Sequence, residues 1–236
     1  MLLAIDTATR NISIALHDGG EVFFERTWCS NNQHSVELAP AVQDALYQLD
    51  MLGNAELTAM AVAIGPGTYT GLRVGVAFAK GFAAARQIPL VGITTLDILA
   101  VAQPVFSGAL VAVVQAGRGR VAAARYEWRE NRWQLVSEPV STDWEMLLMQ
   151  IDSPALITGE IDADARERLT YAVGMGLPVT IASGASRLRR AGFLAEEALY
   201  RLNTAVDSPE SKAHNAHAYG GAAQVIPVYV KTKDSP

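Results

Sequence analysis

The residues best placed for chemistry in this chain are glycines. Gly65-Pro66-Gly67-Thr68-Tyr69-Thr70-Gly71 joins a short apolar run to a long helical stretch. Gly65 and Gly67 permit a tight strand-to-helix turn, and Thr68 or Thr70 can cap the helix that follows. Backbone N–H groups exposed at such a helix start make a ready anion site. Both standard phosphate patterns nevertheless fail. A Walker A loop needs Lys directly after the closing glycine, where Leu72 stands. The dinucleotide fingerprint needs a third glycine where Thr70 stands. A glycine turn required for close strand–helix packing explains the loop as well as phosphate contact does. Asp6 closes the first apolar run beside Thr7 and Thr9. It could help hold a metal–phosphate group or simply form a turn.

The remaining reactive types are poorly grouped. His214 and His217 lie three apart in a loose-looking tail, His34 opens a helix and His17 falls in a hairpin turn. With no His-Glu-x-x-His and no paired cysteines, a zinc site is not expected. Cys29 has nothing in sequence to activate its thiol. Arg187, Arg189 and Arg190 form a basic cluster at a helix start, read first as a solvated face and second as an RNA contact.

The elements that must position these residues recur in a regular order. Leu2–Thr7, Ile12–Leu16 and Glu21–Thr27 read as strands joined by tight turns, an antiparallel meander. After Ser30-Asn31-Asn32, plausible cap residues, Leu38, Val42, Leu46 and Leu49 recur at helical spacing. Pro40 predicts a helix start near it or a kink. Thr58–Ile64 is a strand, the helix after the glycine loop runs to about Arg86, Ile88–Ile93 is a strand and Thr94–Ala102 a helix. The second half repeats the order. Strands at Ala109–Gln115, Val121–Trp128 and Trp133–Glu138 precede a helix at Thr142–Gln150 and a strand at Ala155–Thr158. A helix at Asp162–Val173, a strand at Pro178–Ala182 and a helix at Ala185–Leu202 follow. The tail from Asn203 has no clear period, and Gln224–Lys231 looks ordered again, as if returning to a lobe. The expectation is an α/β protein of two ribonuclease-H-like lobes, each a mixed five-stranded sheet flanked by helices, with a cleft between them as in actin-like ATPases. The expected division is 1–104 and 105–236.

The helix after the glycine loop is apolar nearly all round. Leu72, Val76, Ala79 and Ala83 form one stripe and Val74, Phe78, Phe82 and Ala85 another. A surface helix needs one stripe, so the second is expected to meet a partner protein rather than the rest of a small lobe.

Composition limits the function classes. The chain has 236 residues, half of them hydrophobic, with 18% charged and 7% aromatic, which suits a folded globular protein. Its 24 acids against 19 bases give a net charge of −5, the wrong sign for a chain that grips nucleic acid alone. One cysteine fits a reducing compartment, no run approaches a membrane span, and Met1–Asp6 lacks a basic leader. A cytoplasmic protein without membrane contact is expected.

Several segments together resemble the bacterial TsaB (YeaZ) family. These are Leu3-Ala4-Ile5-Asp6-Thr7-Ala8-Thr9, Gln33-His34-Ser35 with Leu38 and Pro40, GPGTYTGLRVGVAFAKG from Gly65 to Gly81, and Pro89–Ile93. Pro227-Val228-Tyr229-Val230-Lys231 is similar to the family's C-terminal ending. The match is dense over residues 1–100 and thin afterwards. It implies a duplicated actin-like fold and a non-catalytic subunit that binds the paralogue TsaD, the subunit that transfers threonylcarbamoyl to the adenosine beside the anticodon of ANN-decoding tRNAs. TsaD carries two metal-binding histidines after the strand matching Leu90–Ile93, where this chain has Thr95 and Leu99. The family's second-lobe hairpin usually carries an acid and an aromatic. Here Gln115 replaces the acid, Arg120 reverses a charge and Ala122 drops the aromatic.

From this the resemblance implies a docking face built from Leu38, Val42, Leu46 and Leu49 with Leu72, Val74, Val76, Phe78, Ala79 and Phe82. No catalytic residue, metal or cofactor of the chain's own is expected. A nucleotide is expected only at an assembled interface, with Asp6, Gly65, Gly67 and Thr68 as the weak candidates. Expected partners are TsaD with the ATPase TsaE, a second copy when TsaD is absent, and tRNA indirectly. The rival reading is an actin-like ATPase or small-molecule kinase using Asp6 and the Gly65–Gly71 loop. Such an enzyme needs a second acid that Gln115 and Arg118 do not supply.

Overall fold

Alternating apolar residues at the start of the chain build a tight antiparallel pair. Leu2–Asp6 (β1) and Asn11–His17 (β2) set Leu3 against Leu16 and Ile5 against Ile14, and Val22–Cys29 (β3) pairs with the far side of β2. This computed structural model describes residues 1–31, 33–53, 55–207, 219–220 and 225–230. The chain then forms His34–Met51 (α1), Ala59–Gly65 (β4), Tyr69–Arg86 (α2), Leu90–Thr94 (β5) and Thr95–Val101 (α3). β4 lies parallel to β1, and β5 parallel to β4. β1 and β4 have no exposed residue, which is why both read as unbroken apolar runs. Leu3, Ile5, Met60, Val62 and Ile64 pack with α1 and α2 on one face of the sheet.

The second set repeats the topology. Ala109–Gly117 (β6), Arg120–Arg129 (β7) and Arg132–Leu135 (β8) form the meander. Val140–Asp143 (β9), Trp144–Met149 (α4), Ala155–Gly159 (β10), Ala163–Gly174 (α5), Val179–Ile181 (β11), Ala191–Asp207 (α6) and Tyr219–Gly220 (β12) follow. The first sheet runs β12-β5-β4-β1-β2-β3 and the second β11-β10-β6-β7-β8, with β9 also on β7. Both therefore hold a three-strand meander followed by two parallel strands, the duplicated ribonuclease-H-like α/β arrangement expected. On the second sheet Val111 and Val113 pack with α4 and α5, while Leu110, Ala112 and Val114 pack with α3.

Four expectations need correction. Each sheet has six strands rather than five: β12 adds to the edge of β5, and β9 shares β7 with β8. β9 escapes notice because Asp143, its last residue, also caps α4 through the Met146 N–H, so the segment reads as a helix start. α6 begins at Ala191, six residues later than expected. There the Ala191 N–H donates to Ser13 Oγ and the Gly192 N–H to Glu25 Oε1, so two side chains from β2 and β3 fix the start. α1 begins well before Pro40 and carries it inside on an exposed face. The bond Pro40 cannot make leaves only the carbonyl of exposed Val36 for water. The helix starts after Gln33 rather than at the expected caps; the Gln33 N–H donates to Ser30 Oγ, and Asn32 lies outside the described residues.

The fourth correction is the division at 104. Over the described residues, one compact unit is Met1–Thr95 with Arg190–Val228, and the other is Leu96–Arg189 with Tyr229–Pro236. α3 and α6 thus exchange places relative to the expectation. Leu96, Leu99 and Ala100 of α3 pack into the second unit's core beside Leu110 and Tyr126. α6 lies across β1 and β2 of the first. The apolar faces decide the matter: the free face of β1 and β2 needs a cover, and Leu194, Ala195 and Ala198 supply it.

Candidate functional site

Two features of the first unit carry the residues singled out in the sequence: the glycine loop and the paired helices. The loop closes on the β1–β2 turn. The Ala8 N–H donates to the Asp6 carboxylate at 2.8 Å, and the Thr7 hydroxyl donates to the Gly71 carbonyl at 2.8 Å. The Thr68 N–H donates to the Ala8 carbonyl at 2.7 Å. Thr68 Oγ1 in turn accepts from the Gly71 N–H and caps α2. A Cβ at Gly67 would collide with the Ala8 carbonyl, and one at Gly71 or Gly75 with Thr7. Gly65, at φ +109°, would meet the Val228 carbonyl. From below, His34 Nε2 sits 2.8 Å from the Thr9 carbonyl. The structure thus brings Asp6, Gly65, Gly67 and Thr68 together, and Asp6 and Thr68 both bond to the β1–β2 turn. The N–H groups of Thr68, Gly71 and Leu72 have acceptors within the loop and the turn. Close packing of the glycines against the β1–β2 turn accounts for the loop.

α1 and α2 sort their stripes unequally. Leu38, Val42 and Leu49 of α1 and Leu72, Val76 and Ala79 of α2 are buried in the unit's own sheet-facing interior. They therefore present no surface to a partner, and their expected docking role is corrected. Leu46, Val74, Phe78 and Phe82 are half-buried and lie on the outer side of that core. Of the two α2 stripes, the outward one is Val74, Phe78 and Phe82.

Other exposed side chains went unnoticed in the sequence. Val36, Tyr47 and Met51 of α1 are 69%, 61% and 69% exposed, and Tyr69 at the start of α2 is 57% exposed. Phe78 stacks on Phe82 at 6.0 Å, the Arg86 guanidinium lies 5.3 Å over Phe82, and that of Arg73 lies 3.9 Å over Tyr69. The signal was present as two aromatic–arginine pairs at i, i+4, Tyr69/Arg73 and Phe82/Arg86, which place a ring and a cation on one helix face.

A family model described as TsaD, tRNA N6-adenosine threonylcarbamoyltransferase, matches residues 29–228. The tRNA threonylcarbamoyladenosine biosynthesis protein TsaB of Bacillus subtilis is 31% identical over 200 residues, covering 83% of this chain and 87% of that one. The chain belongs to the TsaB family. The TsaB protein of Escherichia coli is 35% identical over 132 residues, 55% of this chain and 56% of its own. The solved structure of YeaZ from Pseudomonas aeruginosa matches the fold with a TM-score of 0.71 at 24% identity, over 97% of this chain and 99% of that one.

The departures from the TsaB pattern have local causes. Gln115 donates its backbone N–H to Glu160 Oε2 at 3.0 Å and its side-chain amide to Asp162 Oδ2 at 2.8 Å. An acid there would face two carboxylates. Arg120 donates to the Ser141 carbonyl at 2.8 Å and so ties β7 to β9. Ala122, on β7, is buried. Thr95 and Leu99, where the resemblance expects a TsaD-type protein to carry histidines, are both fully buried. His17 and His34 are buried and hydrogen-bonded, and Cys29 is an exposed free thiol. Among the described residues no three His, Cys, Asp or Glu side chains gather as a metal site. His214 and His217 lie outside the described residues.

Proposed function

We propose that the chain is a non-catalytic subunit in tRNA threonylcarbamoyladenosine biosynthesis. It docks on a TsaD-type partner through the outer face of α1 and α2 and supports threonylcarbamoyl transfer to ANN-decoding tRNAs. The observation that carries this reading is the Val74–Phe78–Phe82 stripe. It is apolar and half-exposed, and α1 and α2 also carry exposed Tyr47, Met51 and Tyr69. A partner that covers the part still in water gains about 25 cal/mol for each Å² of apolar surface removed. A TsaD-type protein offers a matching helix pair, because its family model spans this one. Non-catalytic action is supported by the closure of the Gly65–Gly71 loop on Thr7 and Ala8, and by the buried, ligand-poor positions of Thr95 and Leu99. The ATPase TsaE completes the assembly in this reading, and tRNA meets the chain only through it.

The test is complementation. The gene should restore threonylcarbamoyladenosine in a strain lacking its own TsaB, and Phe78→Glu should abolish both this and co-elution with TsaD. Unmodified tRNA in the complemented strain, or a Phe78→Glu protein that still co-elutes and restores modification, overturns the reading.

A further inference from the structure

The two helices of the outer face differ in charge. α1 carries Glu37, Asp44 and Asp50 and, apart from buried His34, no base. α2 carries Arg73, Lys80 and Arg86 and, over its 18 residues, no acid. Two of the α1 acids are answered inside the chain. Glu37 accepts from the Trp28 Nε1–H at 2.7 Å, and Asp44 meets Arg26 of β3 at 3.3 Å. On α2, Lys80 is half-buried, while Arg73 and Arg86 are exposed. Among the described residues neither arginine has a carboxylate within ion-pair distance.

Each guanidinium lies instead over a ring one turn earlier on its own helix, Arg73 at 3.9 Å from Tyr69 and Arg86 at 5.3 Å from Phe82. The ring takes one side of the planar cation and leaves its N–H fork in water, with less freedom to lose on pairing than an unsupported arginine has. Successive residues turn by about 100° around a helix and rise by about 1.5 Å. Arg73 and Arg86 therefore fall on opposite sides of the Val74–Phe78–Phe82 stripe, and about 20 Å apart along it. An apolar centre bracketed by unpaired charge is how an interface chooses between partners that could all cover the centre. A second copy packed stripe on stripe sets α2 against α2, so charges of one sign meet across the seam.

We propose that Arg73 and Arg86 are the partner-selecting contacts of this face, pairing with carboxylates on the TsaD-type helix laid against α2. The proposal rests on the docking reading above and adds the partner's chemistry. The helix that faces α2 carries acids about 20 Å apart, one for each guanidinium fork, which takes a carboxylate through two N–H groups. The acids of α1 repel that same helix, so the partner's helix pair docks in one order only. Pairs at such a rim act on association rate and specificity more than on final affinity.

The experiment uses the full chain and the TsaD protein of the same organism, with association followed by stopped flow at low and high salt. Arg73→Gln and Arg86→Gln should each slow association by roughly two- to fivefold at low salt, the range of one exposed ion pair. The double variant Arg73→Glu/Arg86→Glu should slow it by roughly tenfold or more. High salt should slow the wild type and remove most of these differences. Arg73→Lys and Arg86→Lys keep the charge and should keep most of the rate. The homodimer of the isolated chain should be no weaker in either Gln variant, because a like charge leaves its seam.

A merely structural role for the arginines would lower the Tm of the isolated chain and leave the salt dependence of association unchanged. The salt dependence of the wild-type pair needs no variant, so it decides the matter even where a variant misfolds. Phe78→Glu separates this proposal from the docking reading. If Phe78→Glu abolishes TsaD binding while Arg73→Glu/Arg86→Glu associates at the wild-type rate, docking stands and selection by charge is overturned. If TsaD does not bind the wild type, or binds Phe78→Glu unchanged, both fall. A wild-type rate indifferent to salt, or a homodimer loosened by the Gln variants as much as the heterodimer, also overturns the proposal.

Discussion

Thr7 donates its hydroxyl to the Gly71 carbonyl at 2.8 Å across 64 residues of sequence, and this bond holds the first turn of α2 against the β1–β2 turn. The helix can approach so closely only because Gly71 and Gly75 present no Cβ to Thr7, and Gly67 none to Ala8. Rigid backbone, not a movable side-chain tip, fills the space at Gly67 and Gly71. Gly67→Ala should therefore lower stability by about 1–3 kcal/mol, in the range of overpacking a tight core. A chemical denaturation curve measures it. A variant as stable as wild type would show that the glycine serves something other than packing.

Val76 and Phe78 stand two residues apart on α2 and should behave oppositely. Val76 is 4% exposed in the core, so Val76→Glu places a charge among apolar side chains and should cost about 3 kcal/mol or more. Phe78 is half-exposed, so Phe78→Glu should keep the wild-type fold by circular dichroism while losing the partner. If Phe78→Glu unfolds as Val76→Glu does, the outer stripe belongs to the core as well.

This pair shows what the sequence could and could not reveal. Two apolar stripes on α2 were legible, and so was the strand order, because periodicity and turn residues report local structure directly. Which stripe the sheet would claim was not legible, since that depends on where β4 and β1 lie in space. The exchange of α3 and α6 between units was hidden for the same reason. Ser13 and Glu25 fix the start of α6 from 178 and 167 residues away, and no window of sequence contains both ends of such a bond. Gln115 was visible as a departure from the family, but its cause needed Glu160 and Asp162 in position.

Restoring an acid at that position gives a pH-dependent prediction. In Gln115→Glu a third carboxylate would join Glu160 and Asp162, and repulsion would raise its folded-state pKa above the unfolded value. For an acid the sign is then destabilising above that range and neutral below it. Stability should fall by about 0.5–1 kcal/mol at neutral pH and return towards wild type as pH falls through the carboxylate range. Thermal melts across that range check it. A deficit that persists in acid would point to lost hydrogen bonds rather than charge.

Gly81 lies exposed within α2, and a Cβ there would meet nothing within 4 Å. No contact among the described residues explains a residue that weakens a helix interior. Gly81→Ala should stabilise the isolated protein by about 0.5–1 kcal/mol. A larger change, Gly81→Leu, should leave the isolated fold intact yet weaken co-elution with TsaD, if a partner helix crosses at this point. Equal co-elution by Gly81→Leu and wild type would place the crossing elsewhere on the face.

The last expectation concerns the same face when TsaD is absent. Val74, Phe78 and Phe82, with exposed Tyr47 and Met51 on α1, then remain in water. A second copy can cover them through a two-fold contact in which each stripe packs on its own equivalent, and TsaD, using a similar helix pair, would compete for that surface. Isolated protein should therefore sediment as a homodimer at micromolar concentrations, and adding TsaD should convert it to a heterodimer. The seam is mainly apolar, so raising salt should leave the homodimer intact, whereas a charge-driven contact would loosen. Phe78→Glu should sediment as a monomer, because each copy would bring a carboxylate into the seam without a partner. A monomeric wild type, or a homodimer that binds TsaD without dissociating, would separate the two surfaces and sink the shared-face reading.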